Sequence, residues 1–104
     1  MLSTSYLKKM SKKQTDLNVL AQAKVLAQEL KEDLKAEDVW VLVPDFPSLS
    51  RMDFIVKLKP GKDLSESTWD QATDKVISLE WKNRDETGLE FYFYLQLFEV
   101  LTEN

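Results

Sequence analysis

The sequence predicts an α+β fold of order α-β-β-α-β: a three-stranded mixed sheet, strand order 2-1-3, with two helices packed on one face. Three observations predict it. Segments 15–36 and 63–82 repeat apolar residues at three-to-four spacing, the period of one helix face. Segments 39–43, 51–59 and 89–98 are rich in β-branched or aromatic residues and alternate or run apolar, as strands do. The breaks between them carry Pro44 and Pro47, Pro60-Gly61 and a polar run ending at Gly88. A chain of 104 residues holds one domain. It is assigned here to residues 14–104, behind a basic, flexible leader over 1–13.

In the first helix, Thr15 is placed as the cap and Asp16 in the first turn, where the helix dipole favours an anion. Leu20, Ala23, Ala27, Leu30 and Leu34 form its apolar stripe, which Val19 and Leu26 widen. Val39-Trp40-Val41-Leu42-Val43 is apolar on both faces, which argues for the central strand. Pro44 and Pro47 exclude helix from the loop that follows. In 51–59, Phe54, Val56 and Leu58 alternate with Asp53, Ile55, Lys57 and Lys59, the half-buried pattern of an edge strand.

The second helix starts at Asp63 or Ser65, and Trp69, Ala72, Val76 and Leu79 follow helical spacing. Ile77, Leu79 and Trp81 also alternate as a strand would; the longer helical pattern extends the helix to about Lys82. Asn83–Gly88 reads as a polar turn. In the last strand Leu89, Phe91, Phe93, Leu95 and Leu97 share one face, and Tyr92, Tyr94 and Phe98 lie on the other. The second helix is then a crossover that returns the last strand parallel to the second.

Two helices on one face leave Trp40, Leu42, Ile55, Tyr92 and Tyr94 on the other. A contiguous apolar patch in water marks an interaction site. These five residues are the candidate interaction surface, for a protein partner or a second copy. Leu2, Tyr6 and Leu7 of the leader are an alternative cover.

Charge and missing residue types narrow the function. All four bases of residues 1–13 are lysines and no acid falls there, so the rest carries 18 acids against 10 bases, a net charge of −8. An acidic domain repels phosphates and favours basic partners, which weighs against nucleic acid. No cysteine or histidine is present, which removes disulfides, thiol nucleophiles, thiolate zinc sites and His-based triads. Gly61 and Gly88 are the only glycines, too few for a phosphate-cradling loop. Asp63, Glu66, Asp70 and Asp74 lack the spacing of a calcium loop and read as a solvated face. No catalytic residue, cofactor or metal site is assigned.

No apolar run reaches the roughly 20 residues of a membrane span, and no signal peptide is evident. The expectation is a soluble cytoplasmic protein, with Met10 as an alternative start.

Arg51-Met52-Asp53-Phe54-Ile55-Val56-Lys57-Leu58 resembles the strand of minimal nucleotidyltransferases, where Ser-Asp-x-Asp leads into an apolar strand. In that family two acids bind Mg²⁺ and a Gly-Ser pair binds the nucleotide phosphates. Here Asp53 matches one acid, Arg51 stands at the other, and Pro44-Asp45 stands at the Gly-Ser position. The resemblance implies a degenerate, catalytically inactive relative with Asp53 as its remaining Mg²⁺–nucleotide acid.

The leading expectation is a small, acidic, non-enzymatic interaction protein: inhibitor-, antitoxin- or immunity-like, or a homodimeric adaptor. A degenerate nucleotidyltransferase-like domain is the alternative. A nucleic-acid adaptor acting through the basic leader is the third.

Overall fold

The computed structural model describes residues 12–99. Its elements are α1 (Lys12–Asp33), β1 (Asp38–Leu42), β2 (Arg51–Lys57), α2 (Glu66–Thr87) and β3 (Tyr92–Leu97). The order is α-β-β-α-β and the fold is α+β, as expected. Leu2, Tyr6, Leu7 and Met10 lie outside the described residues, as does all of the leader but its last two positions.

Both helices run past their expected ends in one direction. Thr15 lies inside α1, which is already helical at Lys12. α1 stops at Asp33, short of Ala36, because Lys35 turns into the left-handed region with φ 49°. The Lys35 N–H then donates to the Glu32 carbonyl at 3.2 Å and the Ala36 N–H to the Lys31 carbonyl at 3.0 Å. These bonds satisfy carbonyls that the helix end would otherwise leave open.

α2 is capped by Ser65, whose Oγ accepts the Thr68 N–H at 3.2 Å. Residues 76–82 are helical, so the helical spacing prevails over the strand-like alternation there. The expected turn at 83–88 is also helix. Gly88 ends it at φ 70°, donating its N–H to the Arg84 carbonyl at 2.8 Å. Asn83, read as a turn residue, is buried within α2; its amide donates to the Leu79 carbonyl at 2.9 Å and to Gln22 Oε1 at 3.3 Å. A buried polar group with its partners satisfied belongs in an interior.

The sheet order is β1-β2-β3, which corrects the expected 2-1-3. β2 is central, antiparallel to β1 and parallel to β3. The all-apolar Val39–Val43 segment is an edge. The charges that interrupt β2 give it the pattern of an edge, yet Met52, Asp53, Phe54, Ile55 and Val56 are all buried. The reason lies in what covers each side of β2. Met52, Phe54 and Val56 face the helices and are fully buried. The core there also takes Leu26, Leu30 and Leu34 of α1, Ala72 and Val76 of α2, and Phe93 of β3. The Phe54 and Phe93 rings meet edge-on at 5.9 Å.

The helices run antiparallel. Gln22 meets Asn83 near one end, and near the other Lys75 Nζ donates to Glu29 Oε1 at 2.7 Å and to Asp33 Oδ2. The hydrogen bond to Asp33, then that to Glu29, holds the Lys75 pKa above its ordinary 10.5. Among the described residues, no helix is long and apolar enough to cross a membrane.

Candidate functional site

Strand alternation puts one residue in two on the face turned away from the helices. The register builds that face in rows. Leu42 of β1 lies beside Asp53 of β2, which lies beside Tyr94 of β3. Trp40 lies beside Ile55, which lies beside Gln96. Arg51 lies beside Tyr92. All five candidate interaction residues therefore share the helix-free face, with Asp53 among them. The corrected strand order moves Ile55 and Asp53 to its centre.

The face roofs its own centre. Trp40 of β1 and Phe98, the residue after β3, meet edge-on at 5.5 Å across β2. Ile55 beneath them is only 9% exposed. Alternation puts Phe98 on this face, but nothing in the sequence singles out its contact with Trp40 on the far side of β2. Tyr92, Tyr94, Leu42 and Phe98 stay between 42% and 49% exposed.

Asp53 is the one buried acid among the described residues. Its Oδ1 is 3.3 Å from Arg51 Nε. The Arg51 guanidinium also lies over the Tyr94 ring, 4.8 Å from its centroid. The chain's other arginine, Arg84, lies 4.8 Å over Tyr92 and 5.4 Å from the Trp81 ring. Its Nε donates to the Phe91 carbonyl at 2.8 Å. Both arginines thus rest on the two tyrosines of β3. Stacking and hydrogen bonding hold each fork before anything binds. Sequence reasoning missed both. For Arg51 the signal was parity with Asp53; for Arg84, which lies on α2 and meets Tyr92 across the turn at Gly88, no local pattern reports the contact.

The basic side chains of β2 on this face are paired with acids. Arg51 pairs with Asp53, and Lys57 lies 3.4 Å from Glu37. The Tyr92 hydroxyl donates to Glu90 Oε2 at 3.0 Å, and that bond raises its pKa above the ordinary 10.0. The acid that the nucleotidyltransferase resemblance singles out, Asp53, is engaged by a cation of the chain itself. Among the described residues, no group of three or more acids converges as a metal site.

A concavity lies on the helical side of the molecule. An open groove of about 640 Å³ runs between α1 and α2, lined by Ala21, Val25, Leu26 and Leu79 and rimmed by Lys75 and Lys82. Its lining offers apolar contact and a few charges, but no converging set of reactive groups.

The chain matches no family model, no curated protein and no solved structure.

Proposed function

We propose that the chain is a small non-enzymatic interaction protein, inhibitor-, antitoxin- or immunity-like or a homodimeric adaptor, that docks protein on its open sheet face. One observation carries this reading: Trp40, Tyr92, Tyr94 and Arg51 share that face, partly exposed, with Arg51 stacked on Tyr94, Arg84 on Tyr92 and Trp40 against Phe98. Tryptophan, tyrosine and arginine are the side chains that dominate protein–protein binding energy. Ordering them beforehand reduces what association must spend on fixing rotamers. The pairing of Arg51 with Asp53 and of Lys57 with Glu37 leaves no unpaired cation of β2 on this face of a strongly acidic domain.

The test is quantitative affinity capture with the unaltered chain and with the paired change Trp40→Ala, Tyr94→Ala. A partner held by the first and lost by the second, with both chains folded by circular dichroism, supports the reading. Capture that survives the paired change overturns it. So does a rise in melting temperature with Mg²⁺ and a nucleotide that is absent in Asp53→Ala, since ligand linkage would then reveal a nucleotide site.

A further inference from the structure

The two edges of the sheet are protected differently. Natural edge strands carry charges, prolines or bulges that discourage pairing with another chain. β1 is five residues long, opens with Asp38 and is followed closely by Pro44. β3 has none of these: from Phe91 to Phe98 there is no charged residue, no proline and no glycine.

The backbone of β3 faces two ways. The Tyr92 N–H donates to the Ser50 carbonyl at 2.8 Å and the Phe98 N–H to the Val56 carbonyl at 2.7 Å. Even-numbered residues therefore bond toward β2, and Phe91, Phe93, Leu95 and Leu97 turn their backbone groups outward. α2 covers the first part of this outer edge. Arg84 Nε donates to the Phe91 carbonyl, and Glu80 Oε1 accepts the Phe93 N–H at 2.9 Å. Beyond Phe93 no hydrogen bond among the described residues reaches the outward amides of Leu95 and Leu97. Leu97 is 43% exposed and Ile77, one helical turn before Trp81 on α2, is 42% exposed.

We propose that a second copy of the chain adds to this open half of β3, antiparallel, with its two-fold axis at Leu97. The capped residues set the register. Pairing must begin beyond Phe93, and the two-fold at Leu97 uses the outward groups of residues 95, 97 and 99 without disturbing Glu80. It sets Leu97 against Leu97 of the other copy, Gln96 against Phe98, and Leu95 against Glu99. No like charges then face each other. The uncharged strand also answers why the occupant is a second copy. Two domains of net charge −8 repel, and β3 is where they can approach without bringing charge together. An isologous contact of this kind closes on itself as a dimer. The result is a six-stranded sheet in which the two open faces adjoin. The inference rests on reading the chain as an interaction protein, but not on which surface a foreign partner uses.

The chain's lack of cysteine gives a direct test. In a hydrogen-bonded antiparallel pair the facing Cα atoms are about 5.5 Å apart, within the range a disulfide spans. Leu97→Cys should therefore cross-link to itself under mild oxidation at least tenfold faster than Leu42→Cys, whose position on the open face is equally exposed. Light scattering on the unaltered chain should give about twice 12.1 kDa at high concentration, and Leu97→Lys should weaken that association at least tenfold. Amide exchange, which needs no variant, should slow at Leu95 and Leu97 as concentration rises. A monomer at every concentration, with the two cysteine variants equally slow, overturns the proposal. A dimer that survives Leu97→Lys and cross-links through Leu42→Cys also overturns it, while leaving the open face as the docking surface. Loss of partner capture by the Trp40–Tyr94 pair with the Leu97→Cys link intact separates the two readings.

Discussion

The two sides of β2 are buried by different means. Toward the helices, Met52, Phe54 and Val56 are covered by whole elements of the fold. Away from them, Ile55 and Asp53 are covered by side chains: Trp40 and Phe98 above one, Arg51 and Tyr94 beside the other. The first kind of burial can be lost only by unfolding. The second rests on a few side chains at the surface. Similar exposure values therefore describe a cover of whole elements on one side and a cover of single side chains on the other.

Substitutions on the two sides should separate these cases. Phe54→Ala leaves a cavity that two helices cannot fill, and chemical denaturation should show a loss of about 3–5 kcal/mol. Ile55→Ala should cost less, about 2 kcal/mol, because Trp40 and Phe98 can settle into the space. Equal losses at the two positions would show that the roof is as rigid as the core. Arg51→Ala leaves the Asp53 carboxylate without its cation and should cost about 1 kcal/mol, kept small by the solvent exposure of Arg51. The double change Arg51→Ala, Asp53→Ala should recover part of that loss, and a full thermodynamic cycle measures the coupling.

Smaller effects test the helical layer by itself. Lys35→Gly should raise stability by about 0.5–1 kcal/mol, since glycine takes the left-handed conformation that lysine adopts there at a cost. Its effect should be the same with the open-face substitutions present, because the sites are far apart. The pH dependence of Lys75 is the last. Its folded pKa is raised, so its contribution is complete below the ordinary 10.5 and fades as alkali passes the raised value. Lys75→Met should flatten the fall in melting temperature between about pH 9 and pH 12, a shift of only a degree or so for a solvent-exposed group.

Much of the fold was legible because it rests on local periods. The three-to-four spacing of Ala23, Leu30 and Leu34 found α1, and that of Ala72 and Val76 found α2 even where Ile77 and Trp81 alternate like a strand. The alternation of Phe91, Phe93 and Leu95 with Tyr92 and Tyr94 correctly sorted the two faces of β3. Strand order was not legible, because it is set by backbone pairing between segments far apart in the chain, which no local pattern reports. Hydrophobicity placed Val39–Val43 at the centre, whereas β2 holds it despite Asp53, whose charge Arg51 offsets. The same limit applied to the candidate site. Its five residues followed from alternation alone, but Arg84, Phe98 and Glu80 join the surroundings of β3 through contacts between distant segments.

The contact between Trp40 and Phe98 also makes the molecule its own reporter. A tryptophan held edge-on against a second ring, 5.5 Å away and inclined by 61°, sits in an asymmetric electronic environment. Its near-ultraviolet transitions then carry optical activity that a freely rotating indole would lose. Trp69 and Trp81 contribute too, but the part of the signal that Trp40→Phe removes belongs to the open face, while the far-ultraviolet spectrum follows the helices. The Trp40 difference spectrum can thus distinguish a molecule whose face has opened from one that has unfolded.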